Sequence, residues 1–197
     1  MRDERLRLAV IVGSIREARF CTTVARWFTG RAEHRRELAI EIIDLAETPL
    51  PNSQQGRSVS EGVYDSAPVR ELAARIGAAD AIVVVTPEYN HGYPGPLKLA
   101  IDSIYPEWHA KPIGFVSYGG VSGGLRAVEQ LRPVFAELHA VTVRNTVSFH
   151  SAHTRFDADG NPKDPDTANA AATALLDQLT WWAHVLRDAR TARPYPA

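Results

Sequence analysis

At 197 residues, with 45% hydrophobic and 23% charged residues and a formal net charge of −1, the chain has an ordinary globular composition and no global field to attract nucleic acid. A chain of this length buries roughly 70% of its unfolded surface, so one domain spanning 1–197 forms a full core unaided, and the single cysteine excludes an internal disulfide framework. No window approaches the roughly 18 apolar residues of a membrane helix, and the charged opening MRDERLRLAV does not read as a secretory leader. A cytoplasmic protein without membrane or nucleic-acid partners is expected.

LRLAVIV (6–12) is short and β-branched, which predicts a strand; TTVARWFTGRAEHRR (22–36) then spaces Val24, Trp27 and Phe28 at helical intervals. The alternation repeats as LAIEIIDL (38–45) before a helix over 66–79, and as AIVVVT (81–86) before a helix over 97–105. It continues with PIGFVS (112–117) before a helix over 125–138, and a last strand over 141–149 before the longest helix, 166–189. Five such units in series imply a parallel sheet with helices on both faces, because every parallel connection must cross over. AIVVV has no polar alternation, as expected of a strand buried on both faces. Loops 46–65 and 150–165 interrupt the series without marking a domain boundary. The tail TARPYPA is expected to fray or to pack on a neighbouring subunit.

Open parallel sheets bind ligands beyond the carboxyl ends of their strands, where the winding direction reverses; in a 2-1-3-4-5 order that point lies between strands 1 and 3. Three strand-to-helix loops carry the chemistry: GSIREARFCTT, PEYNHGYPGP and YGGVSGG. In the first, Gly13 lets the chain leave the strand, Ser14, Arg16 and Arg19 supply a hydroxyl and charge, and Thr22 and Thr23 begin a helix. A helix start favours an anion through its free N–H groups and its dipole, although Ser and Thr are also ordinary caps. The chain has neither GxxxxGK[ST] nor GxGxxG, so one phosphate monoester fits better than linked phosphates. In the third loop Gly119, Gly120, Gly123 and Gly124 leave bare amides ahead of a helix, either as donors to an electron-rich ring or as a flexible link.

With these loops in order, GSIREARF after strand 1, PEYNHGYPGPLKLAID after strand 3 and SYGGVSGGLRAVEQLR after strand 4, the chain resembles the NADPH-dependent FMN reductase family of flavodoxin-like proteins, which includes quinone, azo-dye and chromate reductases. The resemblance implies an α/β three-layer sandwich with a five-stranded parallel sheet in the order 2-1-3-4-5. It also implies bound FMN, with NADPH or NADH as electron donor and a small electron acceptor. Ser14 and Arg16 would bind the FMN phosphate, with Phe20, Cys21 and Thr22 continuing that loop. Pro87, Glu88, Tyr89 and Asn90 would border the isoalloxazine, with His91 beside them, and Ser117, Gly119 and Gly120 would hold its other edge. Arg19, Cys21 and Leu99 depart from the Ser, Asn and Asn of many relatives. No catalytic side chain is required, because the flavin carries the hydride chemistry. The family's dimers or tetramers suggest a homodimer or homotetramer with Tyr93, Tyr105 and Trp108 near an interface.

Other patterns carry less. Cys21 lacks the arginine six positions later that a phosphatase loop needs, since that position is Trp27. His150 and His153 form an HxxH without a second ligand pair, and DADGNPKDPDTA (157–168) lacks the glycine and glutamate of a calcium loop, so no metal is expected. Glu88 serves as an acid–base group or as an acceptor that fixes its loop. An electron carrier that never meets nicotinamide is the alternative to a reductase. A Rossmann-type dehydrogenase would instead use Asp44 as its ribose ligand.

Overall fold

The computed structural model describes residues 5–196. Five strands, β1 (Leu6–Val12), β2 (Leu38–Asp44), β3 (Ala81–Pro87), β4 (Pro112–Tyr118) and β5 (Val141–Phe149), form one sheet in the order β2-β1-β3-β4-β5, every pair parallel. The helices are α1 (Cys21–Glu33), α2 (Ala67–Ala78), α3 (Gly95–Asp102), α4 (Leu125–Glu137), α5 (Ala152–Arg155) and α6 (Pro165–Ala192). Sheet order and layering are those expected from the loop motifs.

The central strand β3 is buried along its whole length. Its side chains alternate between two cores: Ala81, Val83 and Val85 face α1 and α6, while Ile82 and Val84 face α2, α3 and α4. Full burial of each valine contributes about 1.5–3 kcal/mol, which explains the uninterrupted apolar run. On the α6 side, Ala168, Ala172, Leu175, Leu176, Leu179 and Ala183 make a buried stripe at helical spacing. Gly114 lets that helix approach β4 closely: a Cβ there would lie 2.9 Å from Leu175 Cδ1.

Boundaries shift where local chemistry intervenes. The helix expected over 97–105 stops at Asp102 and is followed by a 3₁₀ turn at Pro106–Trp108. A helix continuing through Pro106 would lose an amide donor and drive the ring against the carbonyl of Asp102. Pro96, by contrast, sits in the first turn of α3, where its missing N–H costs nothing. Trp108, expected near an interface, is 1% exposed, and its indole N–H is shared between the carbonyls of Ile101 and Ile104, both at 3.2 Å. It belongs to the core. The tail also differs: Tyr195 packs back on its own chain, its hydroxyl 3.3 Å from His139 Nδ1. Among the described residues no helix is long and apolar enough to cross a membrane.

Beyond β3 the chain makes a two-residue turn. Tyr89 N–H donates to the Gly92 carbonyl at 2.9 Å, Gly92 N–H returns the bond at 3.1 Å, and Asn90 and His91 between them have φ of 50° and 74°. Paired positive φ values are those of a type I′ hairpin turn. The His91 carbonyl is held by Gln130 Nε2 at 2.8 Å. Because a β-branched side chain tolerates positive φ poorly, His91→Val is expected to lower stability by about 1–2 kcal/mol while His91→Gly changes it by less than about 1 kcal/mol, as measured by urea unfolding.

At the opposite end of the sheet, His109 and His139 lie with ring centroids 4.9 Å apart, and His109 Nε2 is buried without a partner. Burial first, then His139, pushes the His109 imidazole below its ordinary value, with Glu107 opposing. The unfolded chain therefore accepts a proton that the folded site resists, so stability is full above about pH 6.5 and declines as the pH falls below it toward the depressed folded value. His109→Gln is expected to flatten that part of the stability–pH curve relative to wild type.

Candidate active site

The loops after β1 and β3 meet at the carboxyl edge of the sheet around a cleft of about 530 Å³ lined by Ile15, Arg16, residues 88–90 and residues 94–96, and the loop after β4 packs on Glu88. Cofactor-sized sites span roughly 300–1,000 Å³. Pro94 and Pro96 restrict the far wall, which limits the ordering entropy lost on binding.

In the first loop the hydroxyls of Ser14 and Tyr89 lie 2.7 Å apart. Arg16 lines the cleft and has no ion-pair partner among the described residues, whereas Arg19 is turned away into a salt bridge with Asp44 at the end of β2. Arg19 and Asp44 are thereby committed to each other, which removes Asp44 as a ribose ligand and Arg19 as a phosphate cation. Phe20 opens α1 without a side-chain cap, and its ring packs on Tyr118, His153 and Phe156. Thr22 donates its hydroxyl to the Arg19 carbonyl at 3.2 Å. Thr23 and Val24 amides turn onto the Phe20 carbonyl, while those of Cys21 and Thr22 take no backbone acceptor among the described residues. The start of α1 thus keeps amide donors for an anion.

Cys21 is fully buried beneath this turn, with its thiol 3.4 Å from the Val85 carbonyl. Burial pushes the thiol up, although the Ser14 amide, the Tyr118 hydroxyl and Arg19 favour its anion. Its sulfur supports the loop from below. Burial first, then the neighbouring Cys21 thiol, likewise pushes the Tyr118 hydroxyl up.

In the third loop three of the four glycine amides are not bare. Gly119 N–H donates to the Phe149 carbonyl at 3.1 Å, Gly123 N–H to Gly120 at 3.4 Å, and Gly124 N–H to Ser122 Oγ at 3.3 Å. These three amides are taken up because the loop is folded against β5, whereas the Gly120 amide has no hydrogen-bond partner among the described residues. Ser117 is buried and donates its hydroxyl to the Gly123 carbonyl at 2.9 Å, so its side chain shapes the loop and does not face the cleft. At Gly120 an added Cβ would meet nothing within 4 Å, and that surface is open.

Glu88 joins the second and third loops. Its carboxylate accepts Ser122 Oγ at 2.5 Å, the Arg126 amide at 3.2 Å and Arg126 Nη1 at 3.2 Å, and its side chain is 8% exposed. It therefore occupies the N-terminus of α4, where the helix dipole favours an anion. Of the two roles open to it, the acceptor that fixes the loop is the one adopted. Arg126 lies within 3.5 Å of His91 Nδ1 at the rim.

Ile15 and Pro94 to Pro96 were not among the site residues expected from the sequence. The only signal for Ile15 is an apolar side chain in a polar loop, left 48% exposed. Pro87 ends β3, and Gly119 and Gly120 do not line the cleft. The two loop histidines are engaged locally: His150 Nδ1 lies 2.9 Å from the Val121 carbonyl, and His153 stacks on Phe20. Asp157 Oδ1 accepts the amides of Asp159 and Asn161, which closes a turn.

Residues 6–154 match the family described as NADPH-dependent FMN reductase. The chain is 34% identical over 183 residues to a quinone reductase of Escherichia coli K12, covering 90% of this chain and 92% of that protein. It is 38% identical over 142 residues to an NAD(P)H-dependent FMN reductase of Saccharomyces cerevisiae, covering 66% and 73%. The match to an NAD(P)H-dependent FMN reductase of Schizosaccharomyces pombe, 39% identical over 120 residues, spans 60% of each chain. Among solved structures it is similar to FerB, a flavoenzyme NAD(P)H:(acceptor) oxidoreductase from Paracoccus denitrificans, with a TM-score of 0.71 and 26% identity over 90% of this chain and 97% of that one. The chain belongs to the NADPH-dependent FMN reductase family, flavodoxin-like oxidoreductases that work with FMN and NAD(P)H.

Proposed function

We propose that this protein oxidises NAD(P)H and delivers the electrons, through bound FMN, to a quinone, free flavin or another small acceptor, acting in the cytoplasm as a homodimer or homotetramer. One observation carries the reading: an open cleft at the β1/β3 boundary combines an unpaired arginine, Arg16, with a rigid proline-bounded wall. An aromatic ring bearing a single phosphate suits both features.

In this reading Ser14, Arg16 and the backbone amides of Phe20, Cys21 and Thr22 receive the phosphate. Pro87, Glu88, Tyr89, Asn90 and His91 border one side of the ring, and Ser117, Gly119 and Gly120 support the other through backbone. When bound, FMN supplies the hydride-accepting and electron-donating chemistry. The chain's own residues orient it. Glu88 holds two loops at fixed separation, the proline-bounded wall limits their motion, and the open face at Gly120 leaves room for the ring edge. An electron carrier is disfavoured by the formal charge of −1, because carriers dock their partners through strongly complementary fields.

Purified protein is expected to acquire flavin absorbance on incubation with FMN and to bleach when NADPH or NADH is added anaerobically. Absence of flavin uptake sinks the proposal, and uptake without bleaching supports the carrier instead. The glycine loop gives a second test. Gly120→Ala is expected to leave the melting temperature of the apoprotein within about 2 °C of wild type while weakening FMN binding. Gly124→Ala is expected to destabilise by more than about 2 kcal/mol, since φ there is 84° and a Cβ would lie 2.9 Å from the Tyr118 amide nitrogen.

A further inference from the structure

A second cavity, of about 300 Å³, opens beside the edge strand β5 and shares no lining residue with the cleft. Its floor is apolar: Val147 and Phe149 of β5 and Ala168 of α6 are buried. Ala168 and Ala171 lie three apart on one face of α6, and their short side chains leave space that a longer pair would fill. The mouth is polar, with Arg155 and Asp164 both exposed on it. Arg155 Nε donates to the His150 carbonyl at 3.4 Å and Asp164 Oδ1 accepts the Thr167 amide at 3.2 Å, but neither charge forms an ion pair among the described residues. Two opposite charges thus line one cavity without meeting. Ser148 Oγ donates to the Gly123 carbonyl and His150 Nδ1 to that of Val121, both at 2.9 Å, which leaves the hydroxyl and the neutral imidazole with acceptor capacity only.

We propose that this cavity binds a zwitterionic α-amino acid with an apolar side chain. The apolar group lies on the floor, the carboxylate meets the Arg155 guanidinium, and the ammonium, which has three protons to give and no lone pair, meets Asp164 and the acceptors beside it. A ligand with only a negative charge would face Asp164, and one with only a positive charge would face Arg155. A neutral apolar molecule would use the floor and neither charge. The site is independent of the flavin reading, since none of its residues is assigned to the cofactor.

The test is isothermal titration of the full chain, as purified, with L-phenylalanine, with 3-phenylpropionate, which lacks the ammonium, and with phenethylamine, which lacks the carboxylate. L-Phenylalanine is expected to bind saturably, one molecule per chain, with a Kd of about 1 mM or tighter, as befits a ligand of its size at an open site. Each one-charge analogue should bind at least about fivefold more weakly. Two exposed substitutions then separate the charges. Asp164→Asn keeps the cap of α6, because asparagine caps a helix as well as aspartate, and should weaken L-phenylalanine about fivefold without weakening 3-phenylpropionate. Arg155→Gln should weaken L-phenylalanine by a similar factor without weakening phenethylamine. No saturable heat up to about 20 mM L-phenylalanine overturns the proposal, as do analogues that bind as tightly as the amino acid. An L-phenylalanine affinity that neither substitution changes overturns it as well.

Discussion

The cleft exists because β1 and β3 pair side by side in parallel while the helices that follow them leave toward opposite faces of the sheet. Val24, Ala25 and Phe28 of α1 join one core; Leu97, Ala100 and Ile101 of α3 join the other. Two neighbouring chains that diverge leave space between them, which the Ser14–Tyr89 contact spans at one point. The arrangement requires β3 to be apolar on both sides, since each face must hold a separate core. The same strand therefore supplies stability to both layers and an abrupt change of character at Pro87, where the polar loop begins.

Holding the rim open without losing its shape falls to a few pairings between loops. Glu88, nearly buried, is satisfied by a hydroxyl, an amide and a guanidinium, and taking it out of water would be costly without all three. Its position also neutralises Arg126 and occupies the start of α4. The positive features left on the β1 side are then Arg16, in the cleft wall, and the first turn of α1. Arg19, only three residues beyond Arg16, contributes nothing to that field because Asp44 takes it.

Much of this was legible along the chain. Strand and helix identity followed from apolar period, as in AIVVV for β3 and the Ala and Leu spacing of α6, because burial on one or two faces imposes that period directly. The three strand-to-helix loops announced themselves by Gly, Pro, Ser and aromatic residues in positions where no core demands them. Helix ends were less clear: α3 stops early through the steric demand of Pro106. Short α5 lay hidden in a loop because four residues carry no period.

Site chemistry divides the same way. The sequence by itself determined the strands and helices and the residue types gathered in the loops that follow β1, β3 and β4, because each of these depends on patterns within one segment. Only the tertiary structure decided which of those side chains are available. Arg19 is taken by Asp44 from 25 positions away, Arg126 by Glu88 from 38, and Ser14 is joined to Tyr89 from 75. A pairing between segments far apart in the chain leaves no periodic trace in either one. Arg16 and Arg19 look alike in GSIREARF; the distinction between a cation for ligand and a cation for structure comes from what folding brings beside each.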